Sequence, residues 1–179
     1  MALQPAAAGI TGPSRDMIDA LKAGNDDVAR SALWAKAQTA ADLYDSGMAK
    51  IALKDYHAAL IYFDKSIQLD PYEEKVYFSR ARTKELLKEH VEAIKDYNKT
   101  LTLNSKNEDA YLERGMIKQA LNDFYGAMED YDRVIELNPK HEQAYYSRGY
   151  AKYRTNDREA ACSDWQMAKK LGYQPAREM

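Results

Sequence analysis

The fold is decided by residues 111–139, which read YLERGMIKQALNDFYGAMEDYDRVIELNP. Apolar residues recur in this stretch three and four positions apart, which is the spacing of one face of an α-helix. They fall into two segments, Tyr111–Leu121 and Ala127–Ile135. Asp123 lies between the segments, where its carboxylate would accept from the free N–H groups at the start of the next helix. The stretch therefore predicts two consecutive helices joined by a short turn.

The pattern repeats when the sequence is shifted by 34 residues, and five columns keep their character through four copies. These columns are Leu43, Tyr77, Tyr111 and Tyr145; Gly47, Ala81, Gly115 and Gly149; Ala59, Ala93, Ala127 and Ala161; Phe63, Tyr97, Tyr131 and Trp165; and Leu69, Leu103, Leu137 and Leu171. The small columns would let paired helices approach closely, and the aromatic column would fill the space beside them. Because one helix pair cannot bury its own apolar face, the copies are expected to stack into a solenoid.

Turn and cap signals separate the helices. The copies end in pairs that form turns, and proline stops the preceding helix; these pairs are Asp70-Pro71, Asn104-Ser105 and Asn138-Pro139. An acidic residue recurs between the two helices of each copy and is expected to cap the second one; these residues are Asp55, Glu89, Asp123 and Asp157.

Five residues of the third copy, Tyr111, Gly115, Ala127, Tyr131 and Pro139, resemble the sparse signature of the tetratricopeptide repeat family. The resemblance covers about residues 40–173. It implies an all-α fold, a right-handed α-solenoid of about four 34-residue helix-turn-helix repeats with an N-terminal helical leader. The repeats would occupy residues 40–73, 74–107, 108–141 and 142–175, followed by a tail over residues 174–179.

The residues before the repeats break the period. Residues 1–13 are rich in Ala, Gly and Pro and are expected to be a disordered or extended lead. Residues 14–39 form the predicted leader, for which two interpretations remain. In one, a short helix from Ser14 to about Lys22 precedes a long first repeat helix from Asp26 to about Leu53. In the other, residues 22–37 are a degenerate capping repeat. Trp34 is expected to pack in either case.

Charged residues also recur with the period. Where the family signature has Leu, three copies have Arg80, Arg114 and Arg148, and where it has Tyr, all four have Lys50, Lys84, Lys118 and Lys152. A third column, on the second helices, is Asp96, Asp130 and Asp164. They are either a charged binding strip or a ladder of ion pairs that ties the helices together. We favour the ladder, because a repeated column serves a repeated architectural need.

The family resemblance implies that the first helix of each copy lines a concave face. The groove positions would then be Tyr44, Met48, Phe78, Arg82, Leu112, Met116, Tyr146 and Tyr150. Their aromatic and methionine side chains suit an amphipathic helix or an apolar extended peptide. The same residues could instead pack adjacent first helices, or be covered by the leader.

One branch of the family grips the C-terminal carboxylate of heat-shock chaperones with Lys, Asn and Arg. The matching positions in this sequence are Tyr44, Met48, Ser79, Asp109 and Glu113. None is a cation or an amide, and two would repel a carboxylate. The sequence therefore predicts that this chain does not bind such a chaperone tail.

Composition excludes several other classes of protein. The net charge of -2 and the lack of a basic run argue against nucleic-acid binding. No apolar stretch reaches the roughly 20 residues that span a bilayer. The single cysteine, Cys162, permits no intrachain disulfide and fits the cytoplasm, although a periplasmic or secreted location remains open.

No catalytic motif, cofactor site or metal site is predicted. There is no phosphate-binding loop, dinucleotide-binding glycine motif or nucleophile elbow. His57, His90 and His141 lie on different copies without ligands at metal spacing and are expected to be surface or interhelix residues. Cys162 is expected to be a small core residue, because Leu60, Ile94 and Met128 occupy its column.

Together these features predict a non-catalytic scaffold or adaptor that binds a partner protein or peptide in the concave groove. The alternative is a structural subunit that self-associates, for example into a homodimer, through the open end of the solenoid around Trp165, Met167, Leu171 and Tyr173. RNA binding is a third, less favoured reading.

Overall fold

The computed structural model describes the backbone of residues 26–174 and the side chains from residue 39 onward. This part of the chain is made of eight α-helices without strands: α1 Asp26–Ala52, α2 Tyr56–Leu69, α3 Glu74–Leu86, α4 His90–Leu103, α5 Glu108–Ala120, α6 Phe124–Leu137, α7 Glu142–Arg154 and α8 Arg158–Leu171. Each helix packs on the next, and the four helix pairs stack in chain order into an α-solenoid. None of these eight helices is long and apolar enough to span a membrane.

Helix α1 agrees with the predicted long first helix from Asp26 to about Leu53. The lead over residues 1–13, the helix predicted from Ser14 and all but one residue of the tail lie outside the described residues. The side chain of Trp34 lies outside them as well. The interpretation of residues 14–39 as a leader or cap therefore stays a prediction.

The small column lies directly beneath the aromatic column, as the sequence predicted. A Cβ atom added to Gly115 would come within 2.8 Å of Cε1 of Tyr131, and one added to Gly149 within 2.7 Å of Nε1 of Trp165. Tyr97 and Tyr131 are fully buried. A bulky ring can occupy the centre of each helix pair because the facing helix has little or no side chain at that point.

A second column, 34 residues apart at Ile51, Glu85 and Gln119, agrees with the aromatic residue that each of the first three copies uses. In the third copy, Oε1 of Gln119 accepts from the Tyr131 hydroxyl at 3.2 Å. In the second copy, the carboxylate of Glu85 accepts from the Tyr97 hydroxyl at 3.3 Å. In the first copy, Ile51 packs in the cluster of Phe63, which has no hydroxyl. A buried hydroxyl therefore coincides with a polar partner. Burial raises the pKa of Tyr97 and of Tyr131 well above its ordinary value, so both remain donors.

The charged columns form a ladder of ion pairs. In the fourth copy, Nε and Nη2 of Arg148 donate to the two carboxylate oxygens of Asp164 at 2.8 and 2.6 Å. Lys152 lies 2.8 Å from the same carboxylate. Nη1 of Arg148 reaches back to Asp132 in the preceding copy at 2.5 Å. One guanidinium thus joins three helices, namely its own helix α7, the paired helix α8 and the preceding helix α6.

The second and third copies repeat this arrangement. Arg80 binds Asp96 and reaches back to Asp64, and Arg114 binds Asp130 and reaches back to Asn98. Each arginine also lies over the ring of the tyrosine three residues earlier, with its Cζ 5.4 to 5.5 Å from the ring centre. The side chains of these arginines are only 16 to 17 % exposed. The ladder interpretation is confirmed, because such cations are already paired and offer no open strip.

The ladder carboxylates are buried and lie among cations. Burial alone would raise the pKa of Asp164, but hydrogen bonds from Arg148 and Lys152 outweigh it and lower the pKa below the ordinary value of 3.8. A depressed carboxyl pKa means that the stabilisation is fully present above pH 3.8 and is lost as the pH falls through the lower, folded-state value.

Most of the predicted caps are present. Asp55, Asp123 and Asp157 each accept from the N–H group three residues later, at 3.0 to 3.2 Å. Glu89 is the exception, since its side chain makes no such bond, in line with the preference of this position for short side chains. The turn residues Asp70, Asn104 and Asn138 accept from the N–H group two residues on, which closes the predicted turns.

The C-terminal end of the solenoid is more polar than the interior junctions. Ile67, Leu101 and Ile135 occupy one column at the three junctions between copies, and each belongs to the apolar cluster there. The fourth copy has the exposed Lys169 in this column. Tyr173 follows the left-handed Gly172 and stacks on Tyr146 with the ring centres 4.6 Å apart. Lys169 and Tyr173 therefore contribute to a cap at this end.

The prediction that Cys162 is a core residue was wrong. The cysteine is exposed, whereas Leu60, Ile94 and Met128 in the same column are partly buried. Ile94 packs against the cluster that joins the second copy to the third. A fifth copy would have to follow α8 to cover position 162 in the same way.

Removing a buried ladder carboxylate should destabilise the fold. Asp130 is 3 % exposed and binds Arg114 and Lys118, so Asp130→Ala removes the only carboxylate among the described residues that pairs with these two largely buried cations. We expect a loss of about 3 kcal/mol in the free energy of unfolding, measured by urea denaturation. Asp132→Ala is the matched control, because this residue is 51 % exposed and pairs only with Arg148; its loss should stay below about 1 kcal/mol. Equal losses would contradict the structural role of the ladder.

Relieving backbone strain should stabilise the fold. Lys88 lies two residues after the end of α3 and has a φ of 62°, a conformation that costs a residue with a Cβ about 1 kcal/mol. Lys88→Gly should therefore raise the midpoint of thermal unfolding. Lys106→Gly is the control, because this exposed turn lysine has no positive φ, and the substitution there should lower the midpoint through chain entropy.

Candidate functional site

A groove of about 490 Å³ opens between the first helices of the first three copies. Helix α1 contributes Met48 and Ile51, helix α5 contributes Glu113, and the centre is formed by helix α3 and the residues that follow it. The full lining is Met48, Ile51, Ser79, Arg82, Thr83, Glu85, Leu86, Lys88 and Glu113. Met48 and Leu86 are exposed large apolar side chains, so the groove combines an apolar surface with charged groups of both signs.

The eight predicted groove residues belong to two columns that the structure places differently. The column Met48, Arg82, Met116 and Tyr150 faces outward: the first three are exposed and Tyr150 is partly buried. Met48 and Arg82 line the groove, and Nε2 of Gln143 lies 3.7 Å from the sulfur of Met116. Arg154 donates to the Tyr150 hydroxyl at 2.9 Å. This column is the open surface of the first helices.

The other column, Tyr44, Phe78, Leu112 and Tyr146, is a packing column. Leu112 is only 7 % exposed and lies in the core with Tyr131 and Val134, so its placement on the groove surface was incorrect. The Phe78 ring lies edge-on to Tyr97 at 5.7 Å. Tyr44 lies 5.9 Å from Phe63 and lines a separate cavity of about 60 Å³, and Tyr146 is covered by Tyr173. Tyr44, Phe78 and Leu112 pack on the second helix of their own copy, whereas the alternative in the sequence analysis was packing between adjacent first helices.

Sequence reasoning did not assign Ile51, Glu85 and Leu86 to the groove. They lie three or four residues after Met48 and Arg82, and residues at that spacing share one helix face. The spacing from the two predicted residues could therefore have placed these three in the groove. Glu113 was not among the eight predicted groove residues either. The sequence analysis named it only as a residue that would repel a carboxylate, and the structure places it in the groove lining.

Glu113 is the electrostatic centre of the groove. It is partly buried and makes no hydrogen bond or ion pair with another described residue. Burial raises the pKa of its carboxyl, and the negative charges of Glu85 and Asp109 raise it further against the opposing effect of Arg82. Where Glu113 is ionised, its charge therefore lowers the stability of the folded chain.

The five positions that would form a carboxylate clamp contain no cation in the structure. Met48, Ser79 and Glu113 lie together in the groove, and the Tyr44 hydroxyl lies 3.3 Å from Oγ of Ser79. Asp109 lies one turn before Glu113 on α5. None of the five positions offers a cation to a carboxylate placed there, and Glu113 would repel it.

The histidines occupy three different environments. His57 is exposed, whereas Nδ1 of His141 accepts from the N–H of Ala144 at 3.3 Å and caps α7. Nδ1 of His90 is buried and has no hydrogen-bond partner. Within residues 39–174 no three histidine, cysteine or acidic side chains are grouped so that they could hold a metal ion.

Comparison by sequence identifies the repeat. The model of the tetratricopeptide repeat matches residues 43–73 and 108–141, which fall in the first and third copies. No curated protein sequence matches the chain.

Comparison by structure finds the same architecture in solved proteins. A crystal structure of MamA superposes with a TM-score of 0.72 at 21 % identity, covering 89 % of this chain and 95 % of MamA. The first TPR of Spaghetti (RPAP3), bound to the HSP90 peptide SRMEEVD, gives 0.64 at 28 % identity over 67 % of this chain and 95 % of the other. The Arabidopsis OM64 TPR domain gives 0.63 at 22 % identity over 66 % and 98 %. The solenoid fold is shared with all three.

Neutralising Glu113 should stabilise the protein at neutral pH. A raised carboxyl pKa means that ionisation opposes folding: the cost is fully present above the folded-state pKa and disappears below the ordinary value of 4.5. Glu113→Gln should therefore raise the thermal midpoint at pH 7 and change it little at pH 4. Thermal scans of both proteins across this range provide the measurement. A variant that is less stable at pH 7 would contradict the electrostatic description of the groove.

Proposed function

We propose that this chain, which belongs to the tetratricopeptide repeat family, is a non-catalytic scaffold that binds a peptide or an amphipathic helix of a partner protein in the groove. Tetratricopeptide repeat proteins are in general protein-protein interaction modules, and the fold supports that role here. The site of binding and the form of the ligand are our inference from the groove.

The observation that carries the proposal is the unused surface of the groove. Met48 and Leu86 lie exposed in one concavity, and Ile51 lies beside them. Exposed apolar side chains grouped in a concavity gain free energy when a partner covers them. The arginines of the ladder, by contrast, are already paired and are not available to a ligand.

The binding mode differs from that of the RPAP3 domain in its complex with SRMEEVD. The peptide in that complex, SRMEEVD, is acidic and ends in an aspartate. The groove of this chain has Met48, Ser79 and Glu113 where the clamp would need cations and amides. We therefore propose a partner other than a chaperone tail.

The alternative functions have less support. Self-association through the C-terminal end would require an apolar surface there, but Lys169 replaces the isoleucine or leucine of the interior junctions. Tyr173 already covers Tyr146. RNA binding would require free cations, and the net charge of -2 leaves no basic excess.

Polar substitutions in the groove should abolish partner binding. The double variant Met48→Gln with Leu86→Gln makes the groove polar without changing its charge. Met167→Gln with Leu121→Gln is the matched control, because Met48 and Met167 are 39 and 37 % exposed and both leucines are exposed as well. A quantitative affinity capture from cells should lose its specific partners with the groove variant and keep them with the control. Partners kept by both variants would place binding elsewhere; circular dichroism checks that each variant is folded.

The chain should not bind the peptide SRMEEVD. Fluorescence polarisation with labelled peptide should show no saturable binding at concentrations up to hundreds of micromolar, because Glu113 repels the terminal carboxylate. The RPAP3 domain serves as the positive control. Saturable binding that is lost when the peptide is amidated at its C-terminus would show that this groove holds a carboxylate after all.

A further inference from the structure

We infer that the groove is selective for a basic apolar segment, that is, a partner segment in which a lysine or arginine stands beside leucine, methionine or an aromatic residue. The cation would lie against Glu113 and Glu85, and the apolar neighbours against Met48, Ile51 and Leu86. This inference rests on the proposed function and names the chemical class of its partner.

The first argument is the contrast between Glu113 and the carboxylates of the ladder. Asp96, Asp130 and Asp164 each lie within 3 Å of a lysine nitrogen and also bind an arginine. Glu113 is partly buried as well, but no cation of the described chain lies within ion-pair distance of it. An ionised carboxylate removed from water gains most from a counter-charge, and a partner can supply one.

The second argument is the arrangement of charge around Glu113. Glu85 lies in the same groove, and Asp109 stands one turn away on α5. Arg82 and Lys88 also line the groove, but both are exposed and neither forms an ion pair with Glu85 or Glu113. The partly buried part of the groove is therefore negative and its cations lie at the solvent side, which favours a ligand cation over a ligand carboxylate.

The third argument is the shape of the ligand side chain. Lysine and arginine carry long aliphatic stems beneath a charged head, and such stems pack on apolar surface while the head reaches a polar group. Met48 and Leu86 offer that surface next to the two glutamates. A cation without apolar neighbours would leave these side chains uncovered, so both chemistries are needed in one segment.

Selection from a random peptide library displayed on phage tests the inference. Three proteins serve as baits: the wild type, Glu113→Gln, and the groove variant that combines Met48→Gln with Leu86→Gln. The wild type should enrich peptides with lysine or arginine beside apolar residues. Glu113→Gln should keep the apolar preference and lose the basic one, and the groove variant should lose both.

Affinities of the best selected peptide then measure the contribution of the cation. Replacing its lysine or arginine by norleucine should raise the Kd for the wild type about tenfold or more, and the Kd for Glu113→Gln less than about twofold. Arg82→Gln should bind the basic peptide several-fold more tightly, because a competing cation is gone. Equal effects of norleucine on the wild type and on Glu113→Gln would overturn the inference.

The outcomes separate this inference from the proposed function. Peptides that require Met48 and Leu86 but carry no excess of lysine or arginine would leave the groove as the binding site and overturn its selectivity. Peptides that bind the groove variant as well as the wild type, or a selection that enriches none, would overturn both.

Discussion

The structure depends above all on one interaction, the bidentate pairing of an arginine on the first helix of the second, third and fourth copies with an aspartate on the paired helix. A solenoid has no contacts between distant copies, so the geometry of every junction must be fixed locally. Arg148 does this by binding Asp164 in its own copy and Asp132 in the preceding one. The ladder begins only in the second copy, since Ser46 and Tyr62 occupy the corresponding positions of the first.

The ladder and the groove use charge in opposite ways. In the ladder each buried carboxylate is matched by an arginine and a lysine, so its charge is compensated within the fold. In the groove Glu113 is partly buried without a partner, so its charge opposes folding. The ladder aspartates and Glu113 lie on the same stack of helices, but only Glu113 has no cation of the described chain within ion-pair distance and can gain from a cation that a partner brings. Unpaired polar groups of this kind are typical of binding surfaces rather than of architecture.

The fold could be predicted from the sequence because its constraints repeat. The pairing of a small residue with an aromatic one, as in Gly115 and Tyr131, recurs every 34 residues, and so does the spacing of Arg114 and Asp130. Such recurrence indicates that these residues serve the fold. The groove does not repeat, since its lining differs between copies. Leu112 and Glu113 are neighbours in sequence, but a helix turns about 100° per residue, so one lies in the core and the other in the groove. Periodicity alone does not fix that rotation, nor does it place Tyr173 over Tyr146.

The central claim is that the groove binds a partner segment and prefers a cation there, and the methyl resonances of the methionines test it most directly. Two capped peptides, acetyl-Leu-Lys-Leu-amide and acetyl-Leu-Glu-Leu-amide, would be titrated into protein labelled at the methionine methyl groups. We predict that the Met48 resonance shifts with the lysine peptide and much less with the glutamate peptide, while Met167, on α8 and outside the groove, stays in place with both. Equal shifts of Met48 and Met167, or a stronger response of Met48 to the glutamate peptide, would contradict the account.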